Sequence, residues 1–70
     1  MSDIPSLSPK ELIKILMKKG FVLDRIKGSH HVFYHPLTKK RVVVPMHNKD
    51  LSKGLFYAIL KDADIDKNDL

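Results

Sequence analysis

A chain of 70 residues has room for one small domain with one modest core and no second domain. Lysine and arginine number 13 against 8 acidic residues, and the resulting +5 charge suits a polyanion, RNA or DNA first and an acidic protein second, while serving plain solubility equally well. The 43% hydrophobic content argues against a wholly disordered basic tail; with no cysteine, disulfides and thiolate zinc sites are excluded, and no apolar run, VVVP included, is long enough to span a bilayer.

The opening MSDIPSLSPKEL is acidic and polar before it is apolar, unlike a secretory signal, so a cytoplasmic protein without membrane contact is expected. LSPKELIKILMKKGF then predicts a helix from Pro9 to about Lys19. Ser8 is placed to cap it, Pro9 fits the first helical position, and Glu11 completes a capping box. Leu7 can staple onto Leu12. Leu12, Ile15, Leu16 and Lys19 share a face, widened by Ile13 and Met17, and Gly20 suits a left-handed stop. FVLDRI predicts a first strand with Phe21 and Leu23 on one face, KGS a turn, HHVFYHP a second strand ended by Pro36, LTKK a hairpin loop, and RVVVPM a third strand. The short middle loop makes strands two and three antiparallel, and Pro45 places the end of the third strand, or a sheet edge, at that residue.

HNKDLSKG is a polar connection in which Asp50 or Ser52 can cap a last helix. That helix carries Leu55, Ala58, Ile59 and Asp62 about one face, with Phe56 and Leu60 beside them. The acidic tail DIDKNDL is expected to fray, with Ile65 as an apolar plug. The expected fold class is therefore α+β, in the order α-β-β-β-α, with a three-stranded antiparallel sheet and two helices on one face, in a single domain over 1–70 with its core at about 8–65. That order resembles the double-stranded-RNA-binding domain. The sheet's second face is left for solvent or a partner.

Three of the four histidines fall within RIKGSHHVFYHP. A shared metal ion fits them poorly. His30 and His31 are adjacent and point to opposite faces of a strand, and His35 lies about 13 Å from His31 along it. Acid–base chemistry fits His30 better. RNA carries its own nucleophile in the ribose 2′-hydroxyl, so a histidine and some positive charge suffice for cleavage without metal. His30 follows a turn in which Gly28 lets a phosphate approach, Ser29 adds a donor and Lys27 adds charge. The same residues serve equally well as an ordinary turn and strand start. Alternation does not decide whether His30 or His31 faces outward, because Val32 and Tyr34 accompany one and Phe33 the other. His35 reads as a turn residue, and His47 as a phosphate contact or a loop residue.

Lys39, Lys40 and Arg41 form a basic hairpin cluster. Lys10, Lys14, Lys18 and Lys19 stripe the first helix, and Lys49 and Lys53 flank the second. Each is a solvated residue on its own; with Lys27 they offer a positive surface near the KGSH turn, supplying affinity for phosphates but little base choice. Tyr34 can stack a base or pack as an ordinary sheet tyrosine.

Taken in order, LMKKGF, KGSHHVFYHP, VVVPMHNKDLSKG and LFYAILKDADI resemble the HicA family of small mRNA-interferase toxins, from Ser8 to about Ile65. The resemblance implies the double-stranded-RNA-binding-domain-like fold, metal-independent cleavage of mRNA with no cofactor, and inhibition by a HicB-like antitoxin that covers the active-site histidine. It carries the catalytic role onto His30, with Gly28 and Ser29 as its neighbours. Val44, Pro45 and His47 match a VPxH element, and Gly54 the glycine opening the last helix. Phe56 and Tyr57 depart from the pattern, one of the two being often polar or basic, which bears on RNA contact or the antitoxin interface. Two rivals share the charge and the open face: a non-catalytic RNA-binding module of the same fold, and a structural subunit whose basic face meets an acidic protein.

Overall fold

The computed structural model describes residues 7–46 and 49–69. Its elements are α1 (Pro9–Lys18), β1 (Val22–Lys27), β2 (His30–Tyr34), β3 (Arg41–Pro45), α2 (Lys53–Asp62) and a closing 3-10 turn (Lys67–Asp69). The strands form an antiparallel sheet in the order β1-β2-β3, giving the expected α-β-β-β-α arrangement. β3 is an edge strand and ends at Pro45, where a missing N–H does least harm.

Both helices are set by their ends. Ser8 caps α1, its Oγ accepting from the Glu11 N–H at 3.1 Å, and Ser52 caps α2 through the Leu55 N–H at 3.1 Å. Both close with the same Schellman pattern. After α1, the Phe21 N–H donates to the Leu16 carbonyl and the Gly20 N–H to that of Met17; after α2, the Ile65 N–H donates to Leu60 and the Asp64 N–H to Lys61. The left-handed position is Gly20 (φ 100°) in the first and Asp64 (φ 61°) in the second. In each case the next residue is apolar and folds back: Phe21 and Ile65 are both buried in the core.

That core joins Leu12 and Leu16 of α1, Phe33 of β2, Val42 and Val44 of β3, and Phe56, Ile59 and Leu60 of α2. Burial on this scale contributes about 1.5–3 kcal/mol per large side chain. Leu7 packs against the cluster, and its carbonyl accepts from the Leu51 N–H at 2.8 Å, tying the entry of α1 to the approach of α2.

Two expectations need correction. The buried stripe of α2 is Phe56, Ile59, Leu60 and then Ala63, while Leu55 and Ala58 are exposed. The helix is rotated toward its larger side chains: Phe56 is fully buried in the core while Leu55 is left outside it. Met17 is also exposed rather than part of the α1 stripe. Leu23 faces the helices but is half exposed, because both helices sit over β3 and β1 overhangs them.

Candidate active site

The sheet has one face under the helices and one open. The register settles which histidine belongs to which. Phe33 pairs with Val42 and His31 with Val44, and both valines are buried beneath the helices. The alternate residues, His30, Val32 and Tyr34, therefore occupy the open face, together with Val22, Arg25 and Lys27 of β1 and Arg41, Val43 and Pro45 of β3. Val32 is buried although it stands outside the helix-packed cluster, so neighbouring open-face side chains cover it.

His30 is the first residue of β2, exposed, and pairs directly with Lys27. Among the described residues its ring makes no hydrogen bond or ion pair. Gly28 and Ser29 form the two-residue turn between them. Positive φ at Gly28 (57°) but not at Ser29 is the type II′ pattern, which matches the twist of a tight hairpin. A Cβ on Gly28 would meet nothing within 4 Å, so the space above this turn is open. The turn is held from the far strand by the Met46 N–H, which donates to the Ser29 carbonyl at 2.6 Å. Lys27, Gly28, Ser29 and His30 are thus brought together. His47 lies outside the described residues.

His31 faces the helices, and its Nδ1 is buried without a hydrogen-bond partner. His35, just past β2, is fully engaged. Its Nδ1 accepts from the Leu37 and Thr38 N–H groups at 3.1 and 3.2 Å, so the proton sits on Nε2, which donates to the Lys19 carbonyl at 3.0 Å. The ring also meets Phe21 edge-on, centroids 5.0 Å apart. His35 joins the end of α1 to the β2–β3 hairpin, a structural pin rather than a candidate catalyst.

The basic hairpin is not beside the KGSH turn. His30 pairs with Pro45 and Tyr34 with Arg41, so Lys39, Lys40 and Arg41 lie at the opposite end of β2, about 13 Å along the strand. The positive charge therefore runs along the open face instead of clustering at His30.

One organising residue of this face was not singled out from the sequence. The β1–β2 register slips between Leu23 and Arg25, a bulge that leaves Asp24 as the extra residue. The Asp24 Oδ2 accepts from the Arg25 Nε at 3.0 Å and from the Arg41 Nη1 across the sheet. Partial desolvation pushes the Asp24 carboxyl up, but the hydrogen bonds and charges of Arg25 and Arg41 outweigh it and hold the carboxyl below its ordinary value. The available signal was an aspartate inside a β-prone run, a residue type that strands disfavour.

Gly54 lies in the first turn of α2 with no atom near a would-be Cβ. Phe56 is fully buried and Tyr57 packs edge-on against it. No described helix is long and apolar enough to cross a membrane.

A comparison with curated proteins finds no match. A family model described as "HicA toxin of bacterial toxin-antitoxin" matches residues 9–65. The match runs from the first residue of α1 to Ile65, which closes the Schellman turn after α2, so it takes in the whole helix-and-sheet unit and the chain belongs to the HicA toxin family.

Proposed function

We propose that this toxin is an endoribonuclease that cleaves mRNA by metal-independent acid–base chemistry at His30. The observation that carries the reading is the situation of His30. It is an exposed, unbonded imidazole on the open sheet face, opposite Lys27 and directly after a turn with open space above Gly28.

An RNA phosphate approaching the turn meets Lys27, the Ser29 hydroxyl and the backbone around Gly28. His30 takes the proton of the adjacent ribose 2′-hydroxyl, whose oxygen forms a new bond to phosphorus. The bond from phosphorus to the 5′-oxygen then breaks, and that oxygen receives a proton. The products are a 2′,3′-cyclic phosphate and a 5′-hydroxyl, and no water is consumed in this step. Lys27 stabilises the extra charge on the phosphorane. A lone histidine must act as base and then acid in turn, or leave one role to Ser29 or His47. Lys39 and Lys40 extend the phosphate track toward the far end of β2.

The partner in this reading is a HicB-like antitoxin that covers His30. A face organised around an unbonded imidazole and exposed lysines is readily closed by an acidic surface.

The test uses labelled mRNA in the presence of a chelator. Cleavage with cyclic-phosphate ends is expected, abolished by His30→Ala without change in the far-UV circular dichroism spectrum and suppressed by a HicB-like antitoxin. A His30→Ala protein that cuts at the normal rate would overturn the assignment. A mobility shift with no cleavage would instead identify a non-catalytic RNA-binding module.

A further inference from the structure

The far end of the open face carries an assembly that the chemistry at His30 does not use. The Arg41 guanidinium carbon lies over the Tyr34 ring, 4.7 Å from its centroid. Asp24 reaches from the β1 bulge, across the neighbouring strand, to hold that guanidinium. Arg41 is still about half exposed, with a side-chain accessibility of 49%. Three strands thus contribute one residue each to a small platform of a phenol ring, a planar cation and a carboxylate.

We propose that Tyr34, Arg41 and Asp24 form a nucleobase-stacking subsite, which holds a nucleotide flanking the one that reacts at His30. The proposal rests on reading this face as an RNA interface. Tyr34 and His30 share the face and stand about 13 Å apart along β2, too far for the stacked base to belong to the reacting ribose.

A phosphate is the less suitable occupant. Asp24, which Arg41 shares with Arg25, offsets part of the Arg41 charge and takes up part of its donor edge, and the carboxylate itself repels an anion. About half of the Arg41 side chain remains accessible beside the Tyr34 ring, and a guanidinium is planar. A base can stack there as a neutral, polarisable plane. The uncompensated charges lie next along the chain, at Lys39 and Lys40, both exposed and without ion-pair partners among the described residues. They are placed to take the phosphates on either side of a stacked base. Arg41 therefore moves from the phosphate contacts to the base contacts, and Asp24 becomes its positioning residue.

Arg41→Lys separates the two roles, because lysine keeps the charge and loses the plane. The probe is a 2′-O-methyl oligoribonucleotide with a single 2-aminopurine walked along it. It has no free 2′-hydroxyl and so stays intact whether or not His30 is the catalyst. Fluorescence quenching is expected at one register. Tyr34→Leu, Arg41→Ala and Arg41→Lys should each weaken binding roughly 5- to 150-fold and abolish that quenching. The slope of log affinity against log salt should stay unchanged, whereas Lys39→Ala should reduce it by about 0.7. Asp24→Asn should weaken the quenching less and broaden the distribution of cleavage positions on natural RNA.

Binding and quenching that are indifferent to Tyr34 and Arg41 in proteins with unchanged circular dichroism overturn the proposal. So does an Arg41→Lys protein that binds normally while Arg41→Ala lowers the salt slope, because Arg41 is then a phosphate contact. Failure of this subsite leaves His30-dependent cleavage untouched. Tyr34-dependent quenching in a protein that never cleaves RNA would retain the subsite and remove the chemistry at His30.

Discussion

The start of β2 and the position just past its end carry the same side chain in opposite circumstances. At one end His35 has both ring nitrogens engaged, by Lys19, Leu37 and Thr38, and its edge packs on Phe21. At the other, His30 has an exposed ring without a bond among the described residues. The glycines nearby repeat the contrast. A Cβ on Gly20 would stand 2.7 Å from the His35 Nε2, while one on Gly28 would meet nothing. One end of the strand is built to be filled by the protein itself, and the other is left open to something else. A histidine with both nitrogens committed to backbone groups cannot exchange protons with a substrate without breaking the fold, whereas an uncommitted one can.

Substitutions at the two ends should therefore divide cleanly between activity and stability. His30→Ala is expected to lower cleavage by about 10²- to 10⁴-fold and to leave stability within about 0.5 kcal/mol, measured by RNA turnover and denaturant unfolding on the same sample. If it unfolds the protein, the contrast between the two ends is lost. Gly20→Ala should destabilise by about 2–3 kcal/mol, combining the cost of a left-handed alanine with displacement of the His35 pin. Gly28→Ala, also left-handed but unobstructed, should cost about 1 kcal/mol. Equal losses at the two glycines would show that the clash with His35 relaxes away. His35→Ala is expected to cost about 2 kcal/mol through the backbone groups that lose their partner, with cleavage per folded molecule unchanged.

Between the two ends, His31 tests the covered face. Its Nδ1 is buried and unpartnered, so His31→Leu should raise the thermal midpoint, by about 1 kcal/mol in stability. A lower midpoint would mean that the ring is held by something it currently bonds.

The smallest effect concerns pH. Because Asp24 is held below its ordinary value in the fold, its contribution is present in full above the unfolded-state value and is lost as pH falls through the lower folded value. Wild type and Asp24→Asn should therefore differ most near neutrality and converge in strong acid. Parallel melting curves down to low pH would show that the Asp24–Arg41 contact does not stabilise the fold.

The helix caps, the glycine turn and the hairpin were legible because they are local devices, in which a few adjacent residues satisfy one another's backbone groups. Ser8 with Glu11, Gly20 before Phe21, Gly28 between two strands and Pro45 at an edge each state their role within a few positions. The rotation of α2 was less legible, since Leu55 and Phe56 are both apolar and only the docking of the helix chooses between them. Asp24 was overlooked because a bulge is a property of two strands in register, not of one strand's pattern. The pairing that sets Lys39, Lys40 and Arg41 at the far end from His30 follows from the hairpin, yet a basic cluster in sequence suggested closeness in space.

The sequence by itself determined the order of elements, both ends of the first helix and the motif that singles out His30, because each depends on neighbours along the chain. Only the tertiary structure decided which face of β2 looks outward. Apolar side chains occur on both sides of that strand, so alternation is symmetric until the helices dock. Docking buries Phe33 with Val42 and Val44, and that choice turns His31 inward and leaves His30, Tyr34 and Arg41 on the open face.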